Sequence, residues 1–128
     1  MPFVRIAVPA GETVSFKQNV GQAIHDAMFK TINIPEDDKF QVLSEHGAGE
    51  LMYDDNYLGV DRSEKCIFVQ ITMKYGRTPE QKKALYAAIA ENLHTSVAWR
   101  KQDVMIILND NDLIDWSFGN GEAQIAGV

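Results

Sequence analysis

Apolar positions along the chain follow one pattern twice, at an offset of 65 residues. Phe3, Val4 and Ile6 fall on Phe68, Val69 and Ile71, and Val20, Ile24 and Met28 fall on Leu85, Ile89 and Leu93. Gly11, Thr13 and Lys17 meet Gly76, Thr78 and Lys82; Asp38 meets Asp103; Val42 and Leu43 meet Ile107 and Leu108. Identities are few, but one constant offset runs through an alternating segment, a helical stripe and a second alternating segment. Such self-similarity marks a duplicated supersecondary unit.

Each copy reads as strand, glycine turn, helix, strand. Residues 16, 20, 24 and 28 put one apolar stripe on the first helix, and 85, 89 and 93 do so on the second. Thr78-Pro79-Glu80-Gln81 is a strong helix start, with a cap, a proline at the first helical position and a residue to close the capping box. Thr13 and Ser15 both suit the cap of the first helix, which ends before Pro35. Second strands are predicted over Phe40–His46 and Val104–Asn109, and Ala48–Ser63 is a long connecting loop. A strand–helix–strand unit of this length closes into a parallel pair by a right-handed crossover. Two units predict an α/β (α+β) two-layer sandwich: a four-stranded sheet with two helices on one face. A ferredoxin-like split βαβ uses the same elements and stays open. In the tandem arrangement the other sheet face is uncovered, which predicts oligomerisation.

The 128 residues are expected to form one domain, 1–128, with pseudo-repeat halves 1–62 and 63–128. A net charge of −6 argues against nucleic acid or anionic membrane as partner, and no apolar run approaches a membrane span. Cys66 is the single cysteine, opens an apolar run and reads as a buried structural thiol, which fits a cytoplasmic setting. His25, His46 and His94 lack metal-ligand spacing, and Asp54-Asp55 and Asn109-Asp110-Asn111-Asp112 read as loops rather than calcium sites.

The candidate chemistry starts at Met1-Pro2. A proline at this position normally permits removal of the initiator methionine, which leaves a prolyl secondary amine. An ordinary α-amino group titrates at about 7.7–8.0, so burial or a neighbouring charge sets it to act as acid or base near neutrality. A retained Met1 would instead make the Pro2 nitrogen an amide, without that capacity.

The Pro2 start, the two βαβ halves, Gly76-Arg77-Thr78 before Glu80-Gln81-Lys82, and Asp115-Trp116-Ser117-Phe118-Gly119-Asn120-Gly121 together resemble the tautomerase superfamily, and within it the malonate semialdehyde decarboxylase family. The resemblance implies a homotrimer, an amino-terminal proline as catalytic group, and no metal or organic cofactor. Pro2 matches the catalytic proline, and Asp38 matches the catalytic aspartate by its spacing after Pro35. The carboxylate-binding arginine pair falls on Lys74 and Arg77; Lys74 offers a point charge in place of a planar two-pronged donor. Trp116 and Phe118 match the apolar wall, with Ile125 at a third wall position.

Asp38 beside the amine would raise its pKa, whereas burial against Trp116 and Phe118 would lower it. A protonated proline polarises a carbonyl for decarboxylation; a neutral one removes a proton for keto–enol tautomerisation. Three readings follow. Decarboxylation of malonate semialdehyde or a close 3-oxo acid is favoured, tautomerisation of a 2-oxo acid comes second, and a non-catalytic oligomeric carboxylate-binding protein third. Each residue also has a plainer role: Asp38 as a turn-ending residue like Asp103, Arg77 and Lys74 as solvated charges, Trp116 and Phe118 as core or interface.

Overall fold

Threonine hydroxyls start both helices. In the computed structural model, which describes residues 1–126, Thr13 Oγ1 accepts from Phe16 N–H at 3.0 Å and Thr78 Oγ1 from Gln81 N–H at 3.1 Å. The Gln81 side chain reaches back to Thr78 N–H at 2.9 Å and closes the capping box. Thr13, not Ser15, therefore caps the first helix. The last two residues of the second half, 127 and 128, lie outside the described residues.

The elements are β1 (Phe3–Pro9), α1 (Val14–Ile32), β2 (Phe40–His46), β3 (Ile67–Lys74), α2 (Pro79–Val97) and β4 (Val104–Asn111). Short 3-10 turns lie at Tyr57–Gly59, Lys101–Asp103 and Leu113–Asp115. Strand order is β2-β1-β3-β4, with β1 parallel to β2, β3 parallel to β4, and β1 antiparallel to β3. Each βαβ unit thus stays whole, which excludes the ferredoxin-like alternative.

The duplication is accurate to the residue. Both parallel pairs join a residue to the one 37 positions on, Phe3 to Phe40 and Ile67 to Val104. Asn33 and Ala98 end the two helices in left-handed conformation, each at φ 56°. Gly11 and Gly76 turn each first strand into its helix at φ 100° and 119°, where a side chain would be strained. Lys17 pairs with Glu45, and its counterpart Lys82 with Asp110. The pseudo-twofold axis passes between Arg5 and Gln70, which face each other across β1 and β3 and are repeat counterparts.

Val4, Ile6 and Val8 of β1 and Val69, Ile71 and Met73 of β3 point to the helices and are buried. They meet Val20, Ile24 and Met28 of α1 and Leu85, Ile89 and Leu93 of α2, the two stripes read from periodicity. Phe16 joins this core from its edge by packing on Trp99, ring centroids 5.3 Å apart.

The opposite sheet face is less apolar than the pattern implied. Val42, Phe68, Met105 and Ile107 surround Arg5 and Gln70 in a shallow concavity of about 320 Å³. Cys66 is buried. No helix among the described residues is long and apolar enough to cross a membrane.

One sequence expectation needs correcting. Asn109, Asp110 and Asn111 continue β4 instead of forming a loop, because each side chain has a partner. Asn109 accepts from Gln70, Asp110 from Lys82 and Asn111 from Trp116, at 2.8 to 3.1 Å. Asp112 ends the run by accepting from Leu113 N–H.

Replacing Ile89, fully buried between helix and sheet, by alanine should cost about 2–5 kcal/mol. Urea denaturation at fixed protein concentration measures this loss.

Candidate active site

Register places the chain's first residues. Continuing the β1–β2 pairing back from Phe3 and Phe40 sets Met1 beside Asp38, and continuing β1–β3 from Phe3 and Thr72 sets it beside Lys74. The side chains follow. The Met1 ammonium donates to Asp38 Oδ2, and Asp38 is 13% exposed. Pro2 is buried directly behind it.

Asp38 rides on a short loop between α1 and β2. Ile34 is sunk in the core, and Asp38 N–H donates to Pro35 O at 3.1 Å. The loop therefore presents the carboxylate from a turn anchored on both sides.

Two cations approach from the end of β3. Arg77 Nη1 donates to Lys74 O at 3.1 Å, which fixes the guanidinium against the strand end. Both residues are half-buried, and neither takes part in an ion pair among the described residues. In a chain of net charge −6, a pair of uncompensated cations in one place is a ready anion site.

The terminal amine feels all three groups. Burial is the largest influence and pushes its pKa down, contact with Asp38 pushes it up, and Arg77 and Lys74 push it down further. The net direction is below the usual 8.0.

Past β4 the chain returns to the same end of the sheet. Trp116 Nε1 donates to Asn111 Oδ1 at 2.8 Å, and Asn111 pairs with Lys74 across β3–β4. The Trp116 and Phe118 rings stack at 5.6 Å and 8°, and Phe118 leans on Phe40, centroids 5.5 Å apart. Gly119, Asn120 and Gly121 all have positive φ and reverse the tail. Gln124 then accepts from Phe118 N–H at 2.8 Å and donates to Gly119 O at 2.7 Å. Ile125 follows, half-buried in a turn.

Pro2, Asp38, Lys74 and Arg77 therefore lie together at one end of the sheet, with Trp116 and Phe118 attached there through Asn111 and Phe40. Ile125 follows Gln124, whose side chain clasps the Phe118–Gly119 backbone. Phe40 and Asn111 escaped the sequence reading. Phe40 passed as an ordinary strand residue, although its place two positions after Asp38 and opposite Phe3 was a usable signal. Asn111 was hidden in a run read as loop.

The second half shows what the same frame does without a terminus. Asp103, counterpart of Asp38, is 2% exposed. It accepts from Ser63 N–H at 2.7 Å, Ser63 Oγ–H at 2.6 Å and Arg100 at 3.3 Å, a structural tether that consumes its acceptors.

Family models described as "tautomerase enzyme" match residues 38–119 and 2–61. The chain belongs to the tautomerase superfamily. It is 46% identical to the probable tautomerase YusQ of Bacillus subtilis (strain 168), covering 98% of both chains. A crystal structure of a malonate semialdehyde decarboxylase inhibited by 3-bromopropiolate superposes with TM-score 0.89 at 33% identity, covering 95% of this chain and 92% of that one. A symmetric trimer of wild-type fused 4-OT gives TM-score 0.79 at 25% identity, covering 98% of this chain and 99% of that one. The four-stranded sheet carrying two helices is thus a tautomerase fold, and the chain is an enzyme of that superfamily.

Asp38→Asn should lower the terminal-amine pKa further, and Arg77→Gln should raise it; NMR titration of the terminal nitrogen reads both signs. Asn111→Ala should free the Trp116 indole. In a Trp99→Phe background this appears as red-shifted emission and greater quenching by acrylamide.

Proposed function

We propose that this tautomerase-superfamily protein acts on a small oxo acid through the secondary amine of Pro2, exposed once Met1 is removed. The observation that carries this reading is the meeting of the Met1 amine, one residue before Pro2, with Asp38 and two uncompensated cations at one sheet end. Arg77 and Lys74 hold a substrate carboxylate, Asp38 holds and polarises the amine, and Trp116, Phe118 and Ile125 form an apolar wall. The chemistry needs only groups the chain supplies.

The favoured reaction is decarboxylation of malonate semialdehyde or a close 3-oxo acid, supported by the likeness to the decarboxylase at 33% identity. The prolyl ammonium donates to the 3-oxo oxygen as the bond to the carboxylate carbon breaks. The electron pair enters the carbonyl as an enolate, carbon dioxide leaves, and the enolate carbon takes the prolyl ammonium's proton, which solvent then restores, to give the aldehyde. A water-poor wall favours the step, because charge separation inside it is screened less.

The second reading is keto–enol tautomerisation of a 2-oxo acid. Its support is the downward push of burial on the Met1 amine, one residue before Pro2, and the naming of YusQ as a probable tautomerase. A neutral prolyl amine then carries a proton between oxygen and carbon.

A homotrimer in the cytoplasm completes the proposal, supported by the trimeric fused 4-OT neighbour, the concave outer sheet face and the buried lone thiol.

Pro2→Ala should reduce kcat/KM about 10²–10⁴-fold on the true substrate. A form that keeps Met1 should be equally impaired. Full activity of Pro2→Ala on both substrate classes overturns the proline mechanism. A prolyl pKa above neutrality assigns decarboxylation, and one below it assigns base catalysis. Met1 retained in protein from the native host, with carboxylate binding but no turnover, would assign the binding role instead.

A further inference from the structure

His25 is a buried titratable side chain that this chemistry leaves unused. It sits inside α1, 3% exposed, with its Nε2 against Glu36 O at 2.7 Å. A carbonyl accepts only, so Nε2 carries the hydrogen. Nδ1 then has a bare lone pair, buried with no hydrogen-bond partner among the described residues. A core position that needed only packing would be filled better by an apolar residue, and the repeat counterpart in α2 is Ala90.

The acceptor explains the choice. Glu36 lies two residues before Asp38, in the loop whose other anchors are buried Ile34 and the exposed bond from Lys39 Nζ to Gln22 Oε1 at 3.1 Å. The second half holds its corresponding loop differently. There His94 Nδ1 meets Trp99 O at 3.1 Å, four residues before Asp103, while Asp103 N–H to Arg100 O repeats the Asp38 N–H to Pro35 O bond. Only the half that carries a terminal amine has its histidine grip so near the aspartate. Asp103 needs no such grip, because Ser63 and Arg100 hold the carboxylate itself.

We propose that His25 is a positioning residue: its hydrogen bond to Glu36 O fixes the loop so that Asp38 stays on the terminal amine. The carboxylate's one strong partner is a chain end with no fold of its own, so the aspartate must be held from behind. The contact seen is that of the Met1 ammonium, and the inference rests on the reading that the Pro2 amine takes it over as the reacting group once Met1 is removed. Titration of the form that keeps Met1 detects the contact with Asp38 whether or not Pro2 catalyses.

The test compares His25→Asn with His25→Gln, each alone and combined with Asp38→Asn. A glutamine amide reaches as far as imidazole Nε2, and an asparagine amide only as far as Nδ1. The readout is the terminal-amine pKa by NMR titration of its nitrogen, in the field of Asp38, Arg77 and Lys74, the charged groups that act on it. His25→Asn should lower that pKa by roughly 0.5–1 unit, since a looser Asp38 favours the ammonium less. His25→Gln should restore it, and neither should change it further once Asp38 is asparagine. Under the oxo-acid reading, in protein from which Met1 has been removed, kcat should fall in His25→Asn and recover in His25→Gln while KM stays within about twofold. An unchanged pKa in His25→Asn, a drop that persists in the Asp38→Asn background, or failure of both variants to fold overturns the positioning role. Loss of the proline mechanism alone would leave the pKa result standing.

Discussion

Everything in this molecule hangs on the register of β1. Like β3, it pairs with its own half on one side and with the other half on the opposite side, and it is the strand that the chain start precedes. Its parallel bonds to β2 set Asp38 beside the chain start, and its antiparallel bonds to β3 set Lys74 there. A slip of one residue would turn Val4, Ile6 and Val8 out of the core and Arg5 into it. Burial of those three side chains therefore fixes the place of a terminal amine that has no packing of its own.

That amine sits between opposed influences. Removal from water disfavours its charge, Asp38 favours it, and the cations that would hold a substrate carboxylate disfavour it again. Binding an anionic substrate would offset those cations and move the amine back toward its protonated form. Under the proposed function, the choice between acid and base chemistry would be set by a balance in which the substrate itself is a weight. Small changes in how firmly Asp38 is held matter for the same reason, and the grip of α1 on its loop belongs with the site rather than with the scaffold.

The twofold scaffold makes the asymmetry plain. Both halves share registers, helix ends, first-turn glycines and the ion pair from helix to sheet edge. Yet in one half the aspartate meets the Met1 ammonium, and the other uses the equivalent aspartate to clamp the chain entering its first strand. Duplicated backbone gives equal frames with unequal partners.

Much of this was legible in sequence because periodicity and capping are local. The apolar stripes predicted both helices and the core they fill, Thr78 to Gln81 foretold a capping box, and the 65-residue offset foretold the tandem units. The residues Pro2, Asp38, Lys74, Arg77, Trp116 and Phe118 stood out by motif. Asn111 and His25 did not, because their meaning lies in one hydrogen bond each, to an indole and to a carbonyl 5 and 11 residues away. Phe40 gained its place only when Phe118 came to rest on it. Sequence alone thus determined the elements, their duplication and the candidate residues for the site, since these depend on neighbours along the chain. Tertiary structure decided strand order, the closeness of Asp38 and the β3 cations to the terminus, and the polar centre of the outer sheet face. Those depend on which strand edges meet, and nothing local in the chain encodes that choice.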